Sequence, residues 1–135
     1  MTYRQHLGRH TAILICLSGF LLTSAAQQRA EEPETVMVTL RAKPGSEAEL
    51  ERVIARHWAT AHELKLVQDA PHITLRGAES GDKTYFIEIF TWRDAGIPDA
   101  APAEIRKIWD EMNRLVEARG GRPGLEFAAV SVVAR

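Results

Sequence analysis

The stretch Thr84-Tyr85-Phe86-Ile87-Glu88-Ile89-Phe90-Thr91-Trp92 is rich in the β-branched and aromatic residues that favour a β-strand. Its two alternating sets are both mostly apolar: Tyr85, Ile87 and Ile89 form one set, and Phe86, Phe90 and Trp92 form the other. A strand that is apolar on both faces is typical of the middle of a sheet covered on both sides. Glu88 is the one carboxylate of the stretch and lies at the centre of its aromatic set.

The N-terminal segment has the order of parts of a secretory signal peptide. Arg4 and Arg9 give a basic start, an uncharged run follows from Thr11 to Ala25, and small residues lead to a cleavage site after Ala26. The apolar run is shorter than the roughly 20 residues that span a bilayer, and an uncleaved anchor is the alternative. We therefore predict an exported, periplasmic or secreted protein, with a signal peptide over residues 1–26, a polar tether over 27–34 and one domain over 35–135.

The composition of the mature chain excludes several classes of protein. Cys16 is the only cysteine and is removed with the signal peptide, so no disulfide or thiol chemistry is available. Cleavage leaves 15 basic and 18 acidic residues, a net charge of −3, without a basic stripe. This argues against nucleic acid as a partner, because such proteins cluster Lys and Arg. No stable membrane span remains after cleavage.

Hydrophobic periodicity and turn signals predict the element order β-α-β-β-α-β. A capping box at Ser46 and Glu49 opens the first helix, and Pro102 and Gly120-Gly121 bound the second. Residues 68–71 are predicted to form a loop. The strands are predicted over Thr35–Arg41, His72–Gly77, Thr84–Trp92 and Leu125–Val133, and the second helix over Pro102–Arg119.

This order predicts an α+β, ferredoxin-like fold, in which an antiparallel four-stranded sheet carries both helices on one face. The first and third strands are then central, in agreement with the apolar character of residues 84–92. The second sheet face also presents apolar groups, such as Met37. We expect a second copy of the chain to cover that face, which predicts a homodimer.

Two segments resemble antibiotic biosynthesis monooxygenase-like (ABM) domains. One is Val38-Thr39-Leu40-Arg41-Ala42-Lys43-Pro44-Gly45-Ser46 before an acidic helix start, and the other is Ile89-Phe90-Thr91-Trp92-Arg93-Asp94. The resemblance implies a dimeric α+β barrel with a pocket between the helices and the sheet of each protomer. Some members of the family oxidise polycyclic phenols with O₂ and no cofactor, and others bind and degrade haem. Trp92 matches the tryptophan that often lines the pocket.

The chain departs from the family pattern in two places. Active members commonly carry an Asn on the first strand, whereas the single Asn of this chain, Asn113, lies on the predicted second helix. Haem-degrading members use a His after the third strand, and residues 93–135 contain none. His57 would have to supply the axial ligand instead.

His57 and Glu88 are the candidate catalytic residues. His57 lies on the apolar stripe of the first helix, where a neutral imidazole could accept a proton or simply be a hydrogen-bonded core residue. Glu88 could act as a base or orient His57 if it faces the helices. If it faces the dimer partner, we expect it to pair with an arginine such as Arg41.

Aromatic residues are the candidates for a substrate pocket, with ordinary core packing as the alternative. They are Trp58, Trp92, Trp109 and Tyr85. His62 and His72 are expected at the surface. His57 and His62 lack the spacing for two metal ligands on one helix face, so no metal site is predicted.

The favoured hypothesis is an exported oxygenase that needs no cofactor and acts on a small phenolic or enolic aromatic. A non-catalytic dimeric module for ligand binding or interaction, with the same fold, is the alternative, and haem binding is third. Gly120 and Gly121 follow the predicted second helix. A signal that ends the helix is a simpler interpretation of these glycines than an anion-binding loop.

Overall fold

The computed structural model describes residues 32–133. The predicted signal peptide and most of the predicted tether lie outside this part of the chain and stay predictions. The strands are β1 (Glu34–Arg41), β2 (Val67–Glu79), β3 (Lys83–Trp92) and β4 (Leu125–Ala129), and the helices are α1 (Glu47–Glu63) and α2 (Ala103–Leu115), with a 3₁₀ turn at Ile97–Ala100. The strand order is β2-β3-β1-β4, with every pair antiparallel. The ferredoxin-like fold and the central positions of β1 and β3 are confirmed.

The register of β1 and β3 separates two faces of the sheet. Val36, Val38 and Leu40 pair with Phe90, Glu88 and Phe86 and form the face toward the helices. Met37 and Thr39 pair with Ile89 and Ile87 and form the opposite face, which we call the outer face. Each residue of β3 thus belongs to one of two chemically different surfaces.

The core lies between the helices and the inner face of the sheet. Phe86 and Phe90 are fully buried there, and such burial stabilises the fold by about 1.5–3 kcal/mol for each side chain. The helices contribute apolar stripes at helical spacing. On α1 these are Leu50, Val53, Ile54 and Ala61, with His57 among them, and on α2 they are Ile105, Ile108 and Met112.

Strand β2 is longer than predicted. The predicted loop at residues 68–71 is wrong, because β2 begins at Val67 and contains an irregularity between Val67 and His72. Asp69 and Pro71 are typical turn residues, and here they lie in that irregular part of an edge strand, where unpaired positions tolerate them. The irregularity sets the register that places His72 opposite Phe90.

The helix ends also differ from prediction. Ser46 makes no side-chain cap, since its backbone (φ −100°, ψ 3°) lies outside the extended region that aims a cap hydroxyl into the helix. The Glu47 carboxyl accepts hydrogen bonds at this end of the helix instead: those from the backbone at Glu47 and Gly45 lower its pKa. The second helix ends at Leu115 rather than Arg119, because Lys43 donates its backbone N–H to Leu115 (2.8 Å) and its Nζ to the Arg114 carbonyl (2.6 Å).

The outer face is open to solvent in the protomer. Ile73 and Leu75 of β2 are 44% and 51% exposed on it. Arg41 closes one end of this face: its buried guanidinium lies 3.3 Å from Glu79 and 3.1 Å from Glu126. Arg41 therefore pairs with these two carboxylates and not with Glu88. No helix within residues 32–133 is both long and apolar enough to cross a membrane.

Candidate functional site

A cavity of about 250 Å³ lies between the inner face of the sheet and α2. Its walls are almost entirely apolar, and His57 and Glu88 are the polar groups at its inner end. The sheet side is formed by Val36, Val38, Phe90, Trp92, Leu125 and Phe127. The helix side is formed by Trp109, Met112 and Asn113, with Glu34 and Pro98 at the rim. An apolar pocket with a few convergent polar groups is typical of a small-molecule site.

Glu88 faces the helices and lies beside His57, which settles the question of its direction. Its Oε2 atom lies 3.4 Å from His57 Nδ1, and the two residues are 1% and 3% exposed. Within residues 32–133, neither His57 Nδ1 nor the second carboxylate oxygen, Glu88 Oε1, has a hydrogen-bond partner. Buried polar atoms without partners are rare in folded proteins and call for a functional or structural explanation.

Trp109 determines which nitrogen of His57 can carry a proton. The indole Nε1–H of Trp109 donates to His57 Nε2 at 3.1 Å. An indole nitrogen can only donate, so Nε2 presents its lone pair, and the proton of the neutral ring lies on Nδ1, toward Glu88. A His in this arrangement can accept a second proton at Nε2 while the carboxylate stabilises the resulting cation, as in other His–carboxylate pairs.

Aromatic rings surround His57 on the side of the cavity. The ring centroids of Phe90, Trp92 and Trp109 lie 5.6, 6.2 and 6.5 Å from that of His57. Phe90 and Trp92 also meet edge to face, with centroids 4.8 Å apart. These contacts hold the imidazole in one orientation and exclude water from it.

His72 lies at the surface, as predicted, and it also borders the site. Its ring stacks on Trp58 at a centroid distance of 3.8 Å, and its Nε2 lies 3.7 Å from Glu88 Oε1. The side chain is 28% exposed. Burial lowers the pKa of His72, and the nearby Glu88 carboxylate offsets part of this effect. Glu88 thus lies between a buried histidine and a partly exposed one.

Two of the four predicted pocket aromatics lie elsewhere. Trp92 and Trp109 line the cavity. Trp58 does not, because it projects from α1 toward β2 and covers His72. Tyr85 is on the outer face, where its ring lies over Gly77 so closely that a Cβ there would be 2.3 Å from Tyr85 Cζ. The placement of Tyr85 in the pocket is therefore wrong: its parity in β3 is opposite to that of Glu88.

Some lining residues escape sequence analysis. Met112 and Asn113 follow Trp109 by three and four positions, so helical spacing could have indicated that they share its face. Leu125 and Phe127 come from the short edge strand β4, and no local signal shows that they reach the cavity. Phe127 is 74% exposed, at the open end. No group of three or more His, Cys, Asp or Glu suited to a metal ion occurs within the described residues.

Solved structures with the same fold include enzymes. SnoaB, a cofactor-independent oxygenase from Streptomyces nogalater, is similar with a TM-score of 0.55 and 20% identity, over 77% of this chain and 96% of SnoaB. A candidate antibiotic biosynthesis monooxygenase from Bacteroides thetaiotaomicron gives a TM-score of 0.56 and 13% identity, over 78% of this chain and 93% of that chain. A protein of unknown function from the same organism, described as a possible oxidoreductase, gives a TM-score of 0.54 and 16% identity, over 75% of this chain and 100% of that chain.

These similarities show that the chain has the fold of antibiotic biosynthesis monooxygenase proteins, as the sequence resemblance implies. At these identities they show the fold alone, and function has to be argued from the site. No protein-family profile and no curated protein matches the chain.

Proposed function

We propose that the protein is an exported, dimeric oxygenase that acts on a small phenolic or enolic aromatic without a cofactor. The observation that carries this proposal is the apolar cavity that ends at the buried His57–Glu88 pair. A packed interior at this place would have left His57 as an ordinary core residue. Export rests on the signal-peptide pattern of residues 1–26.

The size of the cavity supports a small substrate. An apolar protein cavity of about 150 Å³ can hold one benzene molecule. The cavity of about 250 Å³ next to His57 therefore has room for one or two fused rings, with substituents reaching the open end at Phe127. Its apolar walls favour a flat aromatic body, and His57 and Glu88 favour one acidic O–H at the inner end.

The chemistry follows from the proton positions. The substrate O–H takes the place of the Trp109 indole N–H at His57 Nε2, which accepts the proton, and the Glu88 carboxylate stabilises the imidazolium. The resulting electron-rich anion reacts with O₂ at an activated ring carbon. One oxygen atom replaces two hydrogens of the substrate as a carbonyl and the other leaves as water, so the substrate supplies all the electrons.

Dimerisation is part of the proposal because the outer face is apolar. Met37, Ile87 and Ile89 lie on it at the centre of the sheet, and Ile73 and Leu75 are exposed beside them. A second copy seated face to face would bury this patch. Light scattering of the mature protein tests it: we expect the mass of two chains, and one chain per particle at micromolar concentration contradicts it.

Oxygen uptake tests the catalytic proposal. Mature protein is mixed with a panel of one- and two-ring hydroquinones, naphthols and anthrone in metal-free buffer, and dissolved O₂ is recorded with an electrode. We expect one O₂ consumed for each quinone formed from at least one naphthol, with no hydrogen peroxide, which plain oxidation of a hydroquinone would release. Rates no faster than the uncatalysed reaction across the whole panel contradict the proposal.

The alternative is a dimeric module that binds an aromatic ligand without reaction. The hydrogen bond from Trp109 to His57 Nε2 favours it, because the lone pair that would act as base is occupied in the free protein. Quenching of Trp92 and Trp109 fluorescence by the same compounds, without O₂ uptake, would support the module.

Haem fits the site poorly. The cavity has room for one or two fused rings, whereas haem is a macrocycle of four pyrrole rings. The nitrogen of His57 that would bind iron accepts the Trp109 indole N–H. No step of the proposed reaction therefore involves haem.

A further inference from the structure

Three ionisable side chains form a row from the cavity to the surface. His57 lies at the cavity, Glu88 follows at 3.4 Å from His57 Nδ1, and His72 follows at 3.7 Å from the other carboxylate oxygen. The row passes through a single carboxylate, with one oxygen toward each imidazole. His57 and Glu88 are buried, whereas His72 is partly exposed to solvent.

We propose that His72 is the positioning residue of a proton path that connects the buried His57–Glu88 pair with bulk water. The inference rests on the proposed function in one respect: the proton that enters the path comes from the substrate. Two observations carry it: Glu88 Oε1 is buried without a hydrogen-bond partner among the described residues, and the nearest imidazole in its direction is that of His72.

Each transfer along the path is balanced. His57 accepts the substrate proton at Nε2 and gives its Nδ1 proton to Glu88 Oε2. The protonated carboxyl makes a half-turn about its Cγ–Cδ bond, which carries this proton toward His72, and gives it to His72 Nε2. The partly exposed His72 ring then releases its Nδ1 proton to water. One proton has then moved from the cavity to the solvent, and Glu88 is again a carboxylate. Neither gap is a hydrogen bond at rest, so each transfer needs, besides the half-turn of the carboxyl, a side-chain movement of less than about 1 Å or one bridging water.

The surroundings of His72 suit this role. Stacking on Trp58 fixes the ring plane, with 6° between the two rings. The charged or titratable groups around it are Glu88 from β3 and His57 from α1. His62, which pairs with Asp69, also contacts Trp58. Burial lowers the pKa of His72, which keeps the ring neutral and able to accept a proton in neutral solution.

Two substitutions separate proton transfer from packing. His72→Phe keeps an aromatic ring on Trp58 but cannot carry a proton, and His72→Gln keeps polarity without titrating. His62→Gln is the matched control. His62 also contacts Trp58, but its ring pairs with the exposed Asp69 at 3.0 Å instead of with Glu88. Circular dichroism melting of each variant establishes that it is folded.

The test measures exchange of the His57 Nδ1 proton with water by NMR in the free, mature protein. We expect exchange to slow by about tenfold or more in both His72 variants, to stay at the wild-type rate in His62→Gln, and to recover when imidazole buffer is added. Exchange at the wild-type rate in His72→Phe and His72→Gln would overturn the proposal. The measurement needs no turnover, so a failure of the oxygenase proposal, seen as absent O₂ uptake, is distinguishable from a failure of the proton path.

Discussion

The two faces of β3 differ in what covers them and in the chemistry they carry. The inner face presents Phe86, Glu88, Phe90 and Trp92 to the helices, around a cavity with a His–carboxylate pair. The outer face presents Tyr85, Ile87 and Ile89, with apolar neighbours on both adjacent strands. One strand thus serves a candidate reaction site on one side and a candidate dimer interface on the other. Alternation of side chains lets substitutions address each function separately.

The largest effect is expected from Glu88→Gln, which removes the charge beside His57 at nearly constant volume. The cation formed on His57 would lose its partner, so kcat for O₂ uptake should fall by about a hundredfold, with little change in the mass of the dimer. Steady-state oxygen consumption measures the fall in kcat, and light scattering measures the mass of the dimer. Ile89→Val is the control: Ile89 follows Glu88 in the chain but lies on the outer face, so this variant should leave kcat unchanged. Full activity in Glu88→Gln would separate Glu88 from the chemistry.

The next largest effect is expected from Leu75→Glu on the outer face. A carboxylate facing its own copy across an apolar interface should cost about 2 kcal/mol or more, or about thirtyfold in the dissociation constant of the dimer. Sedimentation over a concentration series measures it. Ala78→Glu adds the same charge at an exposed position of β2 with the opposite parity, and it should leave the dimer intact. Equal dissociation of both variants would mean that the outer face is not the interface.

A smaller effect is expected from filling the cavity. Val38 lines it, whereas Thr39, the next residue of β1, lies on the outer face. Val38→Phe should weaken binding of a two-ring ligand by about tenfold while the dimer persists, because its ring occupies ligand volume. Thr39→Phe should leave ligand affinity unchanged. Quenching of tryptophan fluorescence gives both affinities, and unaltered binding to Val38→Phe would place the ligand elsewhere.

The element order and the central place of β3 are predictable from the sequence, because alternation and helical spacing are local signals. The face on which Glu88 lies is not predictable, because both faces of β3 are apolar. Alternation alone does not show which of the two faces meets the helices. The irregularity in β2 is equally hidden: Asp69 and Pro71 indicate a loop, and the register of His72 depends on it. For the same reason Tyr85 is assigned to the pocket although it packs over Gly77. Local patterns reveal which residues share a face, and tertiary packing decides what the face meets.

The smallest effect is expected in the pH dependence of stability. Since the pKa of His72 is lowered on folding, the unfolded chain binds more protons there at slightly acid pH. The free energy of unfolding should therefore fall as the pH decreases through about 6.5, the ordinary value for His, and stop falling below the folded-state pKa. His72→Phe should flatten this part of the profile relative to wild type. Urea titrations between mildly acid and neutral pH measure the slope, and identical slopes would contradict the burial effect.

The most direct test of the central claim is the initial rate of O₂ uptake by His57→Gln compared with wild type. The substrate is the compound of the panel that wild type oxidises fastest. The account predicts a loss of about a hundredfold or more, because the base at the end of the cavity is removed while Gln can still accept the Trp109 hydrogen bond. Tyr85→Phe, on the outer face, should retain the wild-type rate. A His57→Gln variant as fast as wild type would contradict the assignment of His57 as the base.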